Sequence, residues 1–460
     1  MSQERYLTDV GVEGTTIAPS TPTKHQRSSK RPPEYTSAHY EPIDKNGSSI
    51  RVLKLFSSNP NNPQVECELI QTSLDNEIAR PYEALSWCWG PLSETAYINI
   101  RKGSKIYAKY VQPDLVSALQ ALRHYQNDRY LWIDAVCIDQ FHPEEKNHQV
   151  EMMSIIYGKA QRVCIWLGDP TKSSRLALSF IKNEVLQLQN FDDLCDKKAD
   201  TTKWNALLEL MQRPWFSRRW VVQEISLAQR ALIYCGSDKI SWRKFAIAVE
   251  LFVEVETATH RLSEVMKKDP RYYHVPGWFE YVSALGASLL VDATGRLFRD
   301  YKELQQPTTS PVGQADLDTE LDMDSDLEAL TDGESEAGSL DGTVNSQIIR
   351  GQPLLGLEYL VSSLSIFDTT VEHDTIYALL AIARDTTPRA QQISSKHLDH
   401  TQDVLERFTQ KKRFNVDYEQ PYVDVCKDFI QFCIHRSLHT DPSRALDILF
   451  RPWATEERKS

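Results

Sequence analysis

The 460-residue chain lacks the short motifs by which common enzyme classes are read from sequence. It has no GxSxG, no GxGxxG and no GxxxxGK[ST], which disfavours a serine hydrolase, a Rossmann enzyme and a P-loop nucleotidase. There is no CxxC pair either. The eight cysteines (67, 88, 137, 164, 195, 235, 426 and 433) are scattered without metal-ligand spacing, so no metal is expected. Cys88, Cys137, Cys164 and Cys235 sit in or beside apolar runs, where reduced thiols behave as small hydrophobes. His142 and His148 miss the i, i+4 spacing of a metalloprotease helix.

Two further absences bear on location and partners. No charged start precedes an apolar h-region, and no apolar run approaches membrane-spanning length, so neither export nor a membrane is expected. The expectation is a cytoplasmic protein, with the nucleus left open. A basic surplus is also missing. The formal net charge is -12, and between Gln314 and Asn345 there are eleven Asp or Glu and no Lys or Arg. That tract accounts for nearly all of the imbalance. The remainder is close to neutral, and no nucleic-acid partner is expected.

What is present is enough apolar material, 41% of residues, for one large domain or two ordinary ones. Residues 1–45 are rich in Ser, Thr, Pro and Lys and read as a disordered tail. Ile50–Phe56 and Val65–Ile70 alternate around an Asn-Pro-rich turn and predict a β-hairpin. Tyr82–Trp87 reads as a strand, and Tyr97–Ile100 with Lys105–Ala108 as a second hairpin. Asp114 suits the cap of a helix whose Leu115, Ala118, Leu119 and Leu122 share a face. Leu131–Ile138 is a nearly continuous apolar run, as in a strand buried on both faces, and Arg162–Leu167 is another. A helix opens at Pro143 with two Glu in its first turn.

This order, β-α-β-α-β, predicts an α/β fold with a mainly parallel sheet flanked by helices. Added hairpins and a helical C-terminal extension complete it. The α/β domain is expected over 48–300, helical beyond 173, with Ser217–Ala228 as an amphipathic helix, Ala231–Cys235 as a short strand and Trp242–Val255 as another helix. The tract at 303–350 reads as an acidic disordered insertion, and 351–453 as a helical region packing back on the core. Its helices are expected at Leu355–Phe367, Thr375–Arg384 and Tyr422–Ser437. Ligands of such sheets usually bind at the carboxyl ends of the strands, where Trp89–Gly90 and Asp139–Gln140 would lie.

Three blocks are specific. Tyr82-Glu-Ala-Leu-Ser-Trp-Cys-Trp-Gly90 resembles the opening signature of the fungal heterokaryon incompatibility domain. Leu131-Trp-Ile-Asp-Ala-Val-Cys-Ile-Asp-Gln140, continued through Glu145–Val150, Met153, Tyr157 and Trp166–Gly168, resembles its central block. Arg213-Pro-Trp-Phe-Ser-Arg-Arg-Trp-Val-Val-Gln-Glu224 resembles its third. His373-Asp-Thr-Ile-Tyr-Ala-Leu-Leu380 is similar to a shorter downstream block. The resemblance implies a module of fungal allorecognition that promotes growth arrest or cell death through protein association. Its partners would be other proteins of an incompatibility or immune pathway, with self-association expected, and no cofactor would be required.

That family in turn resembles, remotely, the Toll/interleukin-1 receptor domain, a flavodoxin-like fold. Some such domains cleave NAD with a Glu four positions after a Trp. Here Trp220-Val-Val-Gln-Glu224 has that spacing, which on a helix puts both side chains on one face. The resemblance implies Glu224 as a catalytic carboxylate, NAD as substrate, and Trp220 as a stacking platform. The plainer reading makes Trp220 core and pairs Glu224 with Arg218 or Arg219. Arg219 is a candidate phosphate contact or a partner of Asp139 or Glu224. Asp134 interrupts an apolar run and either binds a ligand or accepts backbone N–H bonds that fix the loop. Asp139 and Gln140 are the better surface candidates. Trp87, Trp132, Trp166 and Trp215 read as core volume, whereas Trp89 beside Gly90 suits a binding role. A member without death activity is the remaining alternative.

Overall fold

Alternation in the first two strands builds a hairpin inside the sheet. In β1 (Ser49–Leu55) and β2 (Glu66–Ser73), antiparallel pairing puts Val52 opposite Ile70 and Leu55 opposite Cys67. The computed structural model describes residues 32–44, 47–57, 64–75, 80–90, 96–187, 194, 201–259, 282–296, 353–387 and 412–437. The expected acidic insertion at 303–350 lies outside these residues, as does most of the expected tail. Residues 32–44, however, correct the boundary of that tail. Tyr35, Tyr40 and Ile43 are buried, and Tyr35 N–H and Ala108 N–H bond Ala108 and Pro33 carbonyls, both at 2.8 Å, along the sheet edge. Aromatic anchors outweighed a polar composition there.

The second hairpin, β4 (Ala96–Lys102) with β5 (Lys105–Val111), forms as expected. Between the hairpins and the far edge stand β3 (Glu83–Ser86), β6 (Arg129–Trp132), β7 (Val163–Trp166) and β8 (Ala231–Cys235). All four run parallel, and β9 (Asp238–Ser241) closes the edge antiparallel to β8. The order is β5-β4-β2-β1-β6-β3-β7-β8-β9, a mixed nine-stranded sheet with a parallel centre. The apolar runs explain why β3 and β7 lie in the middle: all four residues of β7 are buried.

Helices supply the crossovers. α1 (Pro113–Leu122) buries Leu115, Ala118, Leu119 and Leu122, the predicted stripe. Its N-cap is Gln112 and not Asp114, whose carboxylate instead accepts Trp166 Nε1–H at 2.9 Å and ties the helix to β7. The run Leu131–Ile138 is also corrected. The strand stops at Trp132, and Asp134–Cys137 winds one helical turn, α2. An apolar run looks the same for a strand and for a buried turn, and side-chain satisfaction of Asp134 decides between them.

α3 (Pro143–Lys159) leads back to β7, with His142 Nδ1 accepting the Glu145 N–H at 3.2 Å as its cap. A helical layer follows: α4 (Lys172–Phe180), α5 (Thr201–Met211), α6 (Trp220–Ser226), α7 (Trp242–Thr259) and α8 (Gly286–Arg296). The expected helix at Ser217–Ala228 is thus shorter, because Pro214–Ser217 forms a 3-10 turn first. The C-terminal region contributes α9 (Leu357–Ser363), α10 (Asp374–Tyr377) and α11 (Tyr422–Ser437), the first two shorter than their apolar runs. It shares one continuous core with the sheet, in which Trp132, Phe180, Leu380 and Phe429 all belong.

α8 packs so closely on the turn before α6 that only glycine fits at its first position. A Cβ on Gly286 would stand 2.5 Å from the Phe216 carbonyl oxygen. Since that atom is backbone, it cannot swing away. Gly286→Ala should destabilise the chain by roughly 1–3 kcal/mol in urea unfolding.

Candidate functional site

The parallel strands carry their C-terminal ends to one edge, and there the three sequence blocks meet. β3 ends at Ser86 and runs into Trp87-Cys88-Trp89-Gly90, where Gly90 turns the chain with φ of 61°. Across it, α2 presents Asp134. Trp87 Nε1–H donates to Asp134 Oδ1 at 3.1 Å and Trp89 Nε1–H to Oδ2 at 2.9 Å. The two indoles stack with centroids 6.0 Å apart. Asp134 Oδ1 also takes the Ala135 N–H at 2.7 Å. Two indole donors and a backbone donor satisfy a carboxylate that would otherwise be costly to enclose.

Glu224 reaches the same edge from α6 and is 2% exposed. Ser86 Oγ–H donates to its Oε2, and Ser86 Oγ accepts Trp215 Nε1–H at 2.8 Å. Tyr157 of α3 shares its hydroxyl between the Leu85 carbonyl, at 3.3 Å, and Glu224. Burial pushes the Glu224 carboxyl up to about 7, and the nearby Asp134 charge adds to the rise. The Arg218 guanidinium and the bonds from Ser86 and Tyr157 oppose it. Arg218 itself donates to the Trp87 carbonyl. The cluster therefore holds one carboxylate in a cage of donors and a second, Glu224, that keeps its proton near neutrality.

Arg219 and Trp220 turn away from it. Arg219 is 2% exposed and donates through Nη2 to the Val361 carbonyl at 2.9 Å, so it pairs with neither Asp139 nor Glu224. The Trp220 indole bonds Asp374 of α10. Trp220 and Glu224 share a helix but engage different partners. Asp139 is 4% exposed, contrary to the surface position expected of it. Its carboxylate takes Ser37 Oγ–H and, at 3.2 Å, the Phe141 N–H. Gln140 is half-buried, and its Nε2 donates to the Asp134 carbonyl at 2.9 Å, bracing α2. Below it a bidentate pair, Arg51 to Glu145 at 2.6 and 3.0 Å, pins the loop to β1.

Trp87, Trp132, Trp166 and Trp215 are each at most 1% exposed, as core volume requires, while Trp89 is half-buried. Sequence reasoning missed Ser86, Tyr157 and Asp374. Ser86 alone carried a signal, a hydroxyl ending a buried strand. An open groove lies elsewhere, bordered by Tyr35, His39, Arg51, Arg101 and Lys102, and reaches none of the expected site residues. Among the described residues no cluster of His, Cys, Asp and Glu is arranged to hold a metal.

The span that builds this edge, residues 82–224, matches the family model described as heterokaryon incompatibility protein (HET). The chain carries a heterokaryon incompatibility domain. It is also 27% identical to "Heterokaryon incompatibility protein 6, OR allele" of Neurospora crassa, over 35% of this chain and 29% of that relative. The chain thus spans less than a third of that relative's length. No solved structure matches it. Within the incompatibility domain, every side chain bonded to Glu224 or Asp134 comes from the matched span.

Two outcomes follow. Asp134→Ala leaves the Trp87 indole donor buried without an acceptor and should cost about 1–3 kcal/mol, read by urea unfolding with a red shift of tryptophan emission. Because the folded Glu224 pKa lies above its ordinary value, its contribution to stability is full below about pH 4.5 and declines as pH rises to about 7. Glu224→Gln should lack that decline, so its stability relative to wild type improves between pH 5 and pH 8.

Proposed function

We propose that the chain is an intracellular effector of fungal incompatibility, promoting growth arrest or cell death by associating with protein partners, copies of itself included. The incompatibility domain and its Neurospora crassa relative support the biological setting. The association reading rests on one observation: Glu224 is 2% exposed and spends its bonds on Ser86 and Tyr157. A carboxylate engaged in this way organises a fold edge and offers no open face to a substrate. No helix among the described residues is long and apolar enough to cross a membrane.

A second reading, cleavage of NAD at its nicotinamide–ribose bond, is favoured by a specific pair of facts. Trp220 and Glu224 stand one turn apart on α6, and the Glu224 carboxyl is tuned to about 7, the range useful for proton transfer. In that reading Glu224 would hydrogen-bond ribose hydroxyls and stabilise oxocarbenium character. It requires the edge to open.

Expression of the full chain in a fungal host, as wild type and as Glu224→Gln at matched abundance, separates the two. The association reading predicts growth arrest by both proteins with NAD levels unchanged. A fall in NAD with the wild type alone would overturn it and make Glu224 catalytic. Growth unaffected by either protein would make this a member without death activity.

A further inference from the structure

The C-terminal region does more than enlarge the core. Asp368 lies alongside Arg218 as an isolated parallel bridge. Its N–H bonds the Ser217 carbonyl at 2.6 Å, and its carbonyl takes the Arg219 N–H at 3.0 Å. These bonds occupy the backbone where α6 begins. Beyond it, α10 supplies Asp374, 8% exposed, whose carboxylate takes the Trp220 indole and, at 2.6 Å, the Tyr418 hydroxyl. Tyr418 is anchored in turn on α3: its N–H reaches Asn147 Oδ1 at 3.4 Å and its ring lies 4.6 Å under the Lys146 ammonium. One carboxylate therefore joins the C-terminal region to the start of α6 and, through Tyr418, to α3.

At the start of α6 the contact is polar and imperfectly satisfied. The buried Arg219 guanidinium bonds the Val361 carbonyl through Nη2, and its Nε has no hydrogen-bond partner among the described residues. His373 Nδ1 and Thr375 Oγ1, on either side of Asp374, are also buried without hydrogen-bond partners there. Burial pulls Arg219 down to about 10, against the Tyr422 and Asp374 charges, and pushes Asp374 up. Buried polar groups without partners work against closure. Arg218 completes the link, because its charge acts on both Asp374 and Glu224.

We propose that residues 353–387 and 412–437 form an intramolecular cap, latched on α6 by Asp374 and Tyr418, that opens apart from the sheet and restrains the incompatibility domain while closed. The restraint rests on the effector reading given above; the latch does not. Opening would free Arg219 and Trp220 from their present partners and remove Asp374 from the Arg218–Glu224 group.

Hydrogen exchange of the full chain tests the latch, with Tyr418→Phe and Asp374→Asn as variants. Tyr418→Phe removes one hydroxyl and keeps the ring, so it stays informative if Asp374→Asn unfolds. The expected result is exchange at Ser217–Glu224 faster by about tenfold or more, with β3 and β7 unchanged. Exchange that is unaltered, or that rises equally in β3 and β7, overturns the proposal. In the fungal growth assay at matched abundance, the loosened variants should arrest growth more strongly than wild type. Weaker or equal arrest from a selectively loosened variant overturns the restraining role. Selective loosening with no arrest from wild type or variants counts against the effector reading and supports the latch.

Discussion

A carboxylate enclosed at the end of a central parallel strand is the constraint on which the rest of this edge depends. Glu224 is 2% exposed and cannot be left without donors. Each donor it uses comes from a different element: Ser86 from β3, Tyr157 from α3, with Arg218 as the nearby positive charge before α6. Those elements are far apart in sequence. They converge because the central strands run parallel, so their carboxyl ends form a single edge. The family's three blocks are therefore one spatial unit.

Asp134 plays the complementary part. Its two indole donors make the Trp-Cys-Trp segment a clamp that closes the end of β3 over α2. One carboxylate is caged by donors while the other keeps its proton near neutrality, with the Arg218 charge acting on that second one. Asp374 adds a third carboxyl from the C-terminal region, reaching the same arginine. The charge state of this edge is thus shared by the domain and by the region packed on it. Under the proposed effector role, such a coupling would let the output respond to what binds elsewhere.

Much of the sheet was legible in the sequence. Alternation located both hairpins, and the apolar run in Arg162–Leu167 located β7. The run at Leu131–Ile138 was misleading because periodicity cannot separate a buried strand from a buried helical turn; only the hydrogen bonds of Asp134 distinguish them. Tyr35 and Tyr40 were hidden inside a polar stretch, and their burial depends on a groove that forms only when β5 is in place. At the site, Glu224, Asp134 and Trp89 stood out locally. Arg219 and Asp139 also stood out, but what they bond was set by residues 142 and 102 positions away, Val361 and Ser37. Asp374 entered only through its block, since nothing in its neighbours indicates a partner on α6.

The central claim, that Glu224 is sealed in the fold edge and holds its proton near neutrality, is tested most directly by a 13C titration of the carboxyl carbons. Glu224 would be assigned by comparison with Glu224→Gln. The account predicts a single carboxyl titrating near pH 7 that vanishes in the variant. Titration of Glu224 near 4.5, in the range of a solvated glutamate, would contradict it.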